Sequence, residues 1–242
     1  MNPRPRTLGT RNQPEQTKAA ILQAALVEFA GMGLSGARTD AIAQAAGVNK
    51  ALLYYYFKDK ETLYGATLES VFAATAAKLV AVLDGGLPSR ERLLAFVGAY
   101  FDAVASNPLF PRLVAQEMMR AGTGLSPHLL RIAEKYQRPT FAKVMRMFDE
   151  GIRAGEFRRV DVHQFVPSMV AMIVHYFSST PMMRAIMPGD PLSPERIAAR
   201  RVAVLDFISA AIFKPKVNLK VVPLLPKAGR SGAPRNKKEG RR

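Results

Sequence analysis

The 242-residue sequence predicts an all-α fold, and three observations carry that prediction. Apolar residues recur at three- and four-residue intervals from residue 15 to residue 213. No segment in that range shows sustained period-two alternation bounded by hairpin turns. Capping hydroxyls stand at helix starts, at Ser89 and, followed by proline, at Ser126-Pro127 and Ser193-Pro194. The strand-like run from Leu52 to Phe57 would have no partner strand, so it too is read as helix.

Pro14-Glu15 opens a first helix on which Ala19, Leu22, Leu26 and Phe29 recur at helical spacing, and Gly31 and Gly33 stop it. A second helix runs from Thr39 to Ala45 and breaks at Gly47. A third runs from Asn49 to Phe57 and breaks at Lys58-Asp59. A long connector follows from Lys60 to Leu83, ended by Gly85-Gly86. Beyond Pro88, helices are predicted over 89–105, 109–121, 127–154, 161–179 and 194–213. The chain therefore divides into an arm over 1–14, a small helical domain over 15–65, a larger helical domain over 66–213 and a tail over 214–242.

Net charge is +16, but it is unevenly spread. Arg4, Arg6 and Arg11 make the arm +3, and the tail carries ten Lys/Arg against the single acid Glu239. The Pro, Gly and polar content of both ends predicts disorder. Total charge is therefore a poor guide to function. The absence of cysteine excludes disulfides, thiolate zinc sites, iron–sulfur clusters and a Cys nucleophile. His128, His163 and His175 lie far apart, outside any metal-ligand spacing, so no metal or other cofactor is expected. Gly31 to Gly36 matches G-x-G-x-x-G but follows a helix, which removes the dinucleotide reading. No G-x-S-x-G elbow or P-loop is found, and no enzyme is expected. The start has no apolar core of a signal peptide. No run of about 18 apolar residues long enough to span a membrane is found, since the best candidate, Phe165 to Phe177, is short and carries Pro167 and His175, so a soluble, cytoplasmic chain without a membrane partner is expected.

The informative stretch is Thr39 to Lys60. Thr39 is placed to cap a short helix whose Ile42 and Ala43 face inward, while Ala45 and Ala46 let a second helix approach. Gly47 supplies a left-handed residue, Val48 plugs the corner, and Asn49 caps the next helix. This is the grammar of a helix-turn-helix, in which the second helix enters the major groove of DNA. Leu53 and Phe57 anchor that helix, which leaves Lys50, Ala51, Leu52, Tyr55 and Tyr56 toward the groove. Tyr54 admits either core packing or the DNA side. Residues 15–60 hold five basic and four acidic side chains, so affinity must come from placement, helped by the arm.

Residues 15 to about 65 resemble the DNA-binding domain of TetR/AcrR-type transcriptional regulators. The resemblance rests on Ile21 to Gly33, Thr39 with Ile42-Ala43, Ala46-Gly47-Val48 and Lys50 to Leu63. It implies that Thr39, Lys50, Tyr55, Tyr56 and Lys60 meet phosphates or groove edges, with Asn49, Ala51 and Leu52 beside them. Leu52 stands where the family commonly has a small or hydroxyl residue and Tyr56 where it has His, so Leu52 is read against thymine methyls.

Residues 66–213 resemble the family's helical ligand-binding and dimerisation domain less specifically. The resemblance implies a homodimer through helices 161–179 and 194–213, with Val166, Met169, Val170, Ile173 and Phe177 on one side and Ile197, Val204, Leu205, Ile208 and Ile212 on the other. Ordinary core packing explains those residues equally well. Met and aromatic side chains suit a pocket for a small apolar or amphipathic effector, with Phe96, Tyr100, Gln116, Met119, Phe141, Met145, Met172, His175 and Tyr176 as candidates. The expected function is a repressor released from a palindromic DNA operator by that effector. The alternative is a non-specific architectural DNA-binding protein that uses its basic tails.

Overall fold

A computed structural model describes residues 13–213 apart from Ala121 and Thr123, and among these it is helical with no β-strand. The arm up to residue 12 and the tail from residue 214 lie outside the described residues, and with them Arg4, Arg6 and Arg11. The small domain contains α1 (Gln13–Gly36), α2 (Thr39–Ala45) and α3 (Lys50–Tyr56), and the connector is α4 (Lys60–Leu83). The rest is α5 (Ser89–Ala105), α6 (Phe110–Arg120), α7 (Pro127–Ile132), α8 (Arg138–Arg153), α9 (Val162–Ser178), α10 (Thr180–Ile186) and α11 (Pro194–Ile212).

Local chemistry sets most of these boundaries. Gly33 takes φ 67° and ψ 176°, a left-handed break that side-chain residues avoid, before a last turn reaches Gly36. Gly31 stays helical, so only one of the two expected stops operates. Ser126 and Ser193 cap α7 and α11 by accepting from the backbone N–H of Leu129 and Arg196. Ser89 does not cap. Pro88 holds the cap position, and the Arg90 N–H goes instead to the Glu156 carboxylate at 2.9 Å. Thr39 does not cap α2 either, because Arg38 holds that position and its N–H donates to Glu28 at 3.0 Å.

The helix expected over 127–154 is continuous but widens into a π-helical turn, Ala133–Gln137, between α7 and α8. Pro139 accounts for it: proline offers no N–H to the Lys135 carbonyl, and its ring crowds that oxygen. α10 is an addition to the prediction, a seven-residue helix that Pro181 starts within its first turn.

Two apolar cores divide the described residues. In one, Ile21, Leu26 and Phe29 of α1 meet Ile42, Leu53, Phe57, Leu63 and Leu68, joined by Leu113 of α6 and Ile132 of α7. In the other, Phe96 and Phe101 of α5 meet Phe148, Ile173, Phe177, Val204, Ile208 and Ile212. α4 belongs to both, through Leu63 and Leu68 at one end and Leu79 and Leu83 at the other. At the residues named for the dimer, the second core bears out the alternative of ordinary core packing. Met169, Ile173, Phe177, Val204, Ile208 and Ile212 are buried within the protomer, and Val166, Val170, Ile197 and Leu205 pack against the same core.

Residues Pro14–Gly36 and Lys60–Leu83 are long and apolar enough to cross a membrane by length and composition, which the expectation of no such helix missed. Each carries a face of the first core, Ile21 to Ala30 on one and Leu63 to Leu68 on the other.

Candidate nucleic-acid interface

The corner between α2 and α3 follows from its sequence. Gly47 adopts φ 70°, and the Val48 N–H closes the turn on the Ala43 carbonyl at 3.0 Å. The Asn49 side chain accepts from the Leu52 N–H at 2.7 Å, capping α3 as its position predicts. Ile42, Ala43, Leu53 and Phe57 are buried, so the inner face is the expected one.

The outer face of α3 carries Lys50, Ala51, Tyr54 and Tyr55, all exposed, with Leu52 partly buried beside them. Tyr55 is 81% exposed, the most open large aromatic side chain of the described residues. Tyr56 differs: it is partly buried, packs on the first core and meets the Tyr55 ring edge-on at 5.4 Å. Tyr54 takes the outward alternative, and its hydroxyl lies 3.2 Å from Thr39 Oγ1, a link across the corner. Lys50 Nζ stands 2.9 Å from Asp40, whose hydrogen bond and charge raise the lysine pKa above its ordinary value. Lys60 donates to the carbonyl oxygens of Ser35 and Ala37, both at 3.2 Å, so its ammonium secures α4 to the end of α1. Asp59 caps α4 through the Thr62 N–H at 2.7 Å, and that bond holds its carboxyl below the usual range. The site therefore includes Asp40, which the sequence reading missed although the helix-turn-helix register places it opposite Lys50.

A cavity of about 720 Å³ opens between α4, α5, α8 and α9. Phe96, Tyr100, Phe141 and Met145 line it as expected, and Leu79 of α4 joins them. The other five candidates do not line it. Gln116 donates to the Ala30 carbonyl at 3.3 Å on the boundary with α1, and Met119 is 74% exposed. His175 is exposed, Met172 packs against the second core, and the Tyr176 hydroxyl donates to the Pro191 carbonyl at 2.7 Å. The composition of a helix names its apolar residues without saying which void, if any, its faces enclose.

Between cavity and corner lies a polar junction on the first half of α4. Glu117 of α6 is fully buried and takes two hydrogen bonds from Arg120, at 2.9 and 3.1 Å. Burial alone would raise its carboxyl, but Arg120 and the Ser126 and Tyr64 hydroxyls outweigh it and hold the pKa below the ordinary value. Glu61 of α4 meets His128 at 2.9 Å and Arg120 at 3.6 Å, and Glu69 meets Lys135 at 2.7 Å and Tyr136 at 2.9 Å.

Residues 21–67 match the family model described as bacterial regulatory proteins, tetR family, and residues 90–208 match the tetracyclin repressor-like C-terminal domain. The HTH-type transcriptional repressor SCO4008 of Streptomyces coelicolor is 32% identical over 180 residues, 73% of this chain and 85% of that one. The chain belongs to the TetR family of transcriptional regulators. The regulator RutR of Escherichia coli is 28% identical over 75% of this chain and 84% of its own. The fold matches the solved structure of the ketosteroid transcriptional regulator KstR2 of Mycobacterium tuberculosis with a TM-score of 0.66, at 21% identity, over 87% of this chain and all of that one. As a TetR-type regulator, this protein is a sequence-specific DNA-binding protein, and α2 and α3 are its helix-turn-helix.

Proposed function

We propose that this TetR-type regulator is a homodimeric repressor that holds a palindromic operator through two copies of α3 and releases it when a small apolar or amphipathic effector enters the cavity. The observation that carries the reading is the double membership of α4. Leu79 forms part of the cavity wall, while Lys60 and Glu61, at the other end of the same helix, fasten it to the α1 terminus and to α6 and α7. An effector that favours a shifted α4 would change the spacing of the two recognition helices, a population shift driven by its preference for one state.

In this reading Thr39, Lys50, Tyr55, Tyr56 and Lys60 meet backbone phosphates, and Ala51 and Leu52 meet base edges, with Asn49 holding the start of α3. The outward side of α11 supports the dimer. Ala199, Val202, Ala203, Phe207 and Ala210 fall at helical spacing and are all exposed, with Val202 at 66% and Phe207 at 60%. SCO4008, a repressor by name, supports the sign of regulation.

Selection of bound sequences from a random DNA pool, followed by titration of the selected site with small apolar and amphipathic molecules, tests the reading. A palindrome whose affinity falls with one of these molecules is the expected result. A selected pool without two-fold symmetry would overturn the dimeric operator.

A further inference from the structure

The geometry points to an amphipathic monoanion as the effector: an apolar body seated against Phe96 and Met145, and a carboxylate head at Arg138. This rests on the effector reading of the cavity and adds the chemical class of its ligand. The cavity volume, about 720 Å³, falls in the range of about 300–1,000 Å³ typical of small-molecule sites. Its wall is mostly apolar, and among the described residues Arg138 is the one charged residue that lines it.

The position of Arg138 follows from the chain. The π-helical turn ends at Gln137 and the α-helix resumes at Arg138, so the two residues at this junction stand on the cavity wall. π-Helical turns are rare and often lie at functional sites. The Arg138 side chain lines the cavity and is 70% exposed, so its guanidinium is free to turn to a ligand head that reaches the solvent edge. Its partner is Glu134 at 3.6 Å, a loose and exposed pair that a better-placed carboxylate can replace. Glu134 also sets the charge of the ligand. Once a ligand carboxylate displaces Glu134, the single positive charge of Arg138 balances one negative charge, and a phosphate dianion would leave a second charge unbalanced beside the released Glu134.

Tyr100 supplies the second polar point, deeper in. Burial pushes its phenol up to about 12 with no other cause, and its hydroxyl makes no hydrogen bond among the described residues. A hydroxyl left so would donate to, or accept from, a polar group partway along the ligand. Thr140, by contrast, already spends its hydroxyl on the Tyr136 carbonyl at 2.7 Å. Head-group recognition therefore falls to Arg138.

The test is calorimetric titration of the full-length protein with dodecanoate, 1-dodecanol, dodecylamine and dodecyl phosphate, and with a fused-ring carboxylate and its alcohol. Arg138→Gln and Val170→Phe, which fills the cavity, are titrated alongside, with thermal melts to verify folding. The expected result is tightest binding by a carboxylate, one per protomer, weakened about fivefold to tenfold in Arg138→Gln while the matching alcohol is unchanged. Equal or tighter binding of the alcohol, amine or phosphate in the parent protein overturns the monoanion and leaves the effector site standing. Carboxylate binding that survives unchanged in Val170→Phe places the ligand elsewhere and overturns the proposal. Failure of every probe to bind the parent protein more tightly than Val170→Phe overturns the effector reading itself.

Discussion

The Lys50 ammonium stands 2.9 Å from the Asp40 carboxylate, so the first residue of the recognition helix is tied to the second residue of the helix before it. Both side chains are more than half exposed, and such pairs add little to stability. Their importance is at the DNA surface. Asp40 brings a negative charge to the face proposed to meet phosphates and competes for the lysine proposed to bind them. Asp40→Asn is expected to raise affinity for operator and random DNA alike, about threefold, and to steepen the salt dependence by about one counterion. Fluorescence anisotropy across a potassium chloride series measures both. A loss of operator affinity alone would instead make Asp40 a positioning residue for α3.

Glu117 and Arg120 form an asymmetric pair, since the Glu117 side chain is fully buried and the Arg120 side chain is 43% exposed. Removing the exposed partner should therefore cost more than removing the buried one. Arg120→Ala strands a buried charge and is expected to cost about 2–3 kcal/mol, less than for a fully enclosed pair because the Tyr64 and Ser126 hydroxyls remain. Glu117→Gln returns Arg120 to water and is expected to cost about 1 kcal/mol. The pH dependence separates them further. The lowered carboxyl of the parent contributes stability that is present above about pH 4.5 and is lost as pH falls through its folded value. In Arg120→Ala burial dominates and raises that carboxyl, so the deficit shrinks as pH falls from about 7 toward 5. Urea denaturation of the three proteins at the two pH values decides it. A deficit in Arg120→Ala that grows on acidification would refute this account.

Gly151 of α8 faces Phe157, and a Cβ at this position would lie 2.4 Å from the ring. The ring cannot step aside, because Phe148 and Phe213 pack on it with centroids 5.4 and 5.7 Å away. Gly151→Ala is expected to destabilise the protein by about 2–3 kcal/mol, although alanine has the better helix propensity. A thermal melt checks it, and an unchanged or raised midpoint would show that α8 can shift.

The corner from Thr39 to Phe57 was legible because its signals are local: a left-handed glycine, a capping asparagine and two anchors one turn apart. Periodicity likewise placed α4 and α5 at their observed limits. What the sequence hides is which partner a side chain chooses. Lys60 looks like any surface lysine, yet two backbone carbonyls accept from its ammonium, and this depends on where α1 ends. Gln116 looks like a polar group in an apolar pocket, yet α6 packs on α1 and carries it away from the cavity. Periodicity also names only the more apolar face of a helix. In α11 that face is the protomer's own core, and the small residues of the opposite face gave no comparable signal.

That opposite face of α11 supplies the last prediction. Phe207 is 60% exposed while its neighbour Ile208 is 1% exposed, so a single residue step, about 100° around the helix, separates a core residue from the proposed subunit contact. Phe207→Glu should leave the fold intact, because the charge stays in water in the separated protomer, and should dissociate the dimer by stranding two carboxylates in an apolar contact. DNA affinity is expected to fall about tenfold or more, since each half-site is then bound singly. Val204→Ala probes the other side of the same helix and is expected to cost about 2 kcal/mol of stability without changing the subunit count. Sedimentation equilibrium with urea denaturation separates the two effects. A dimer that persists in Phe207→Glu would move the interface off this face of α11.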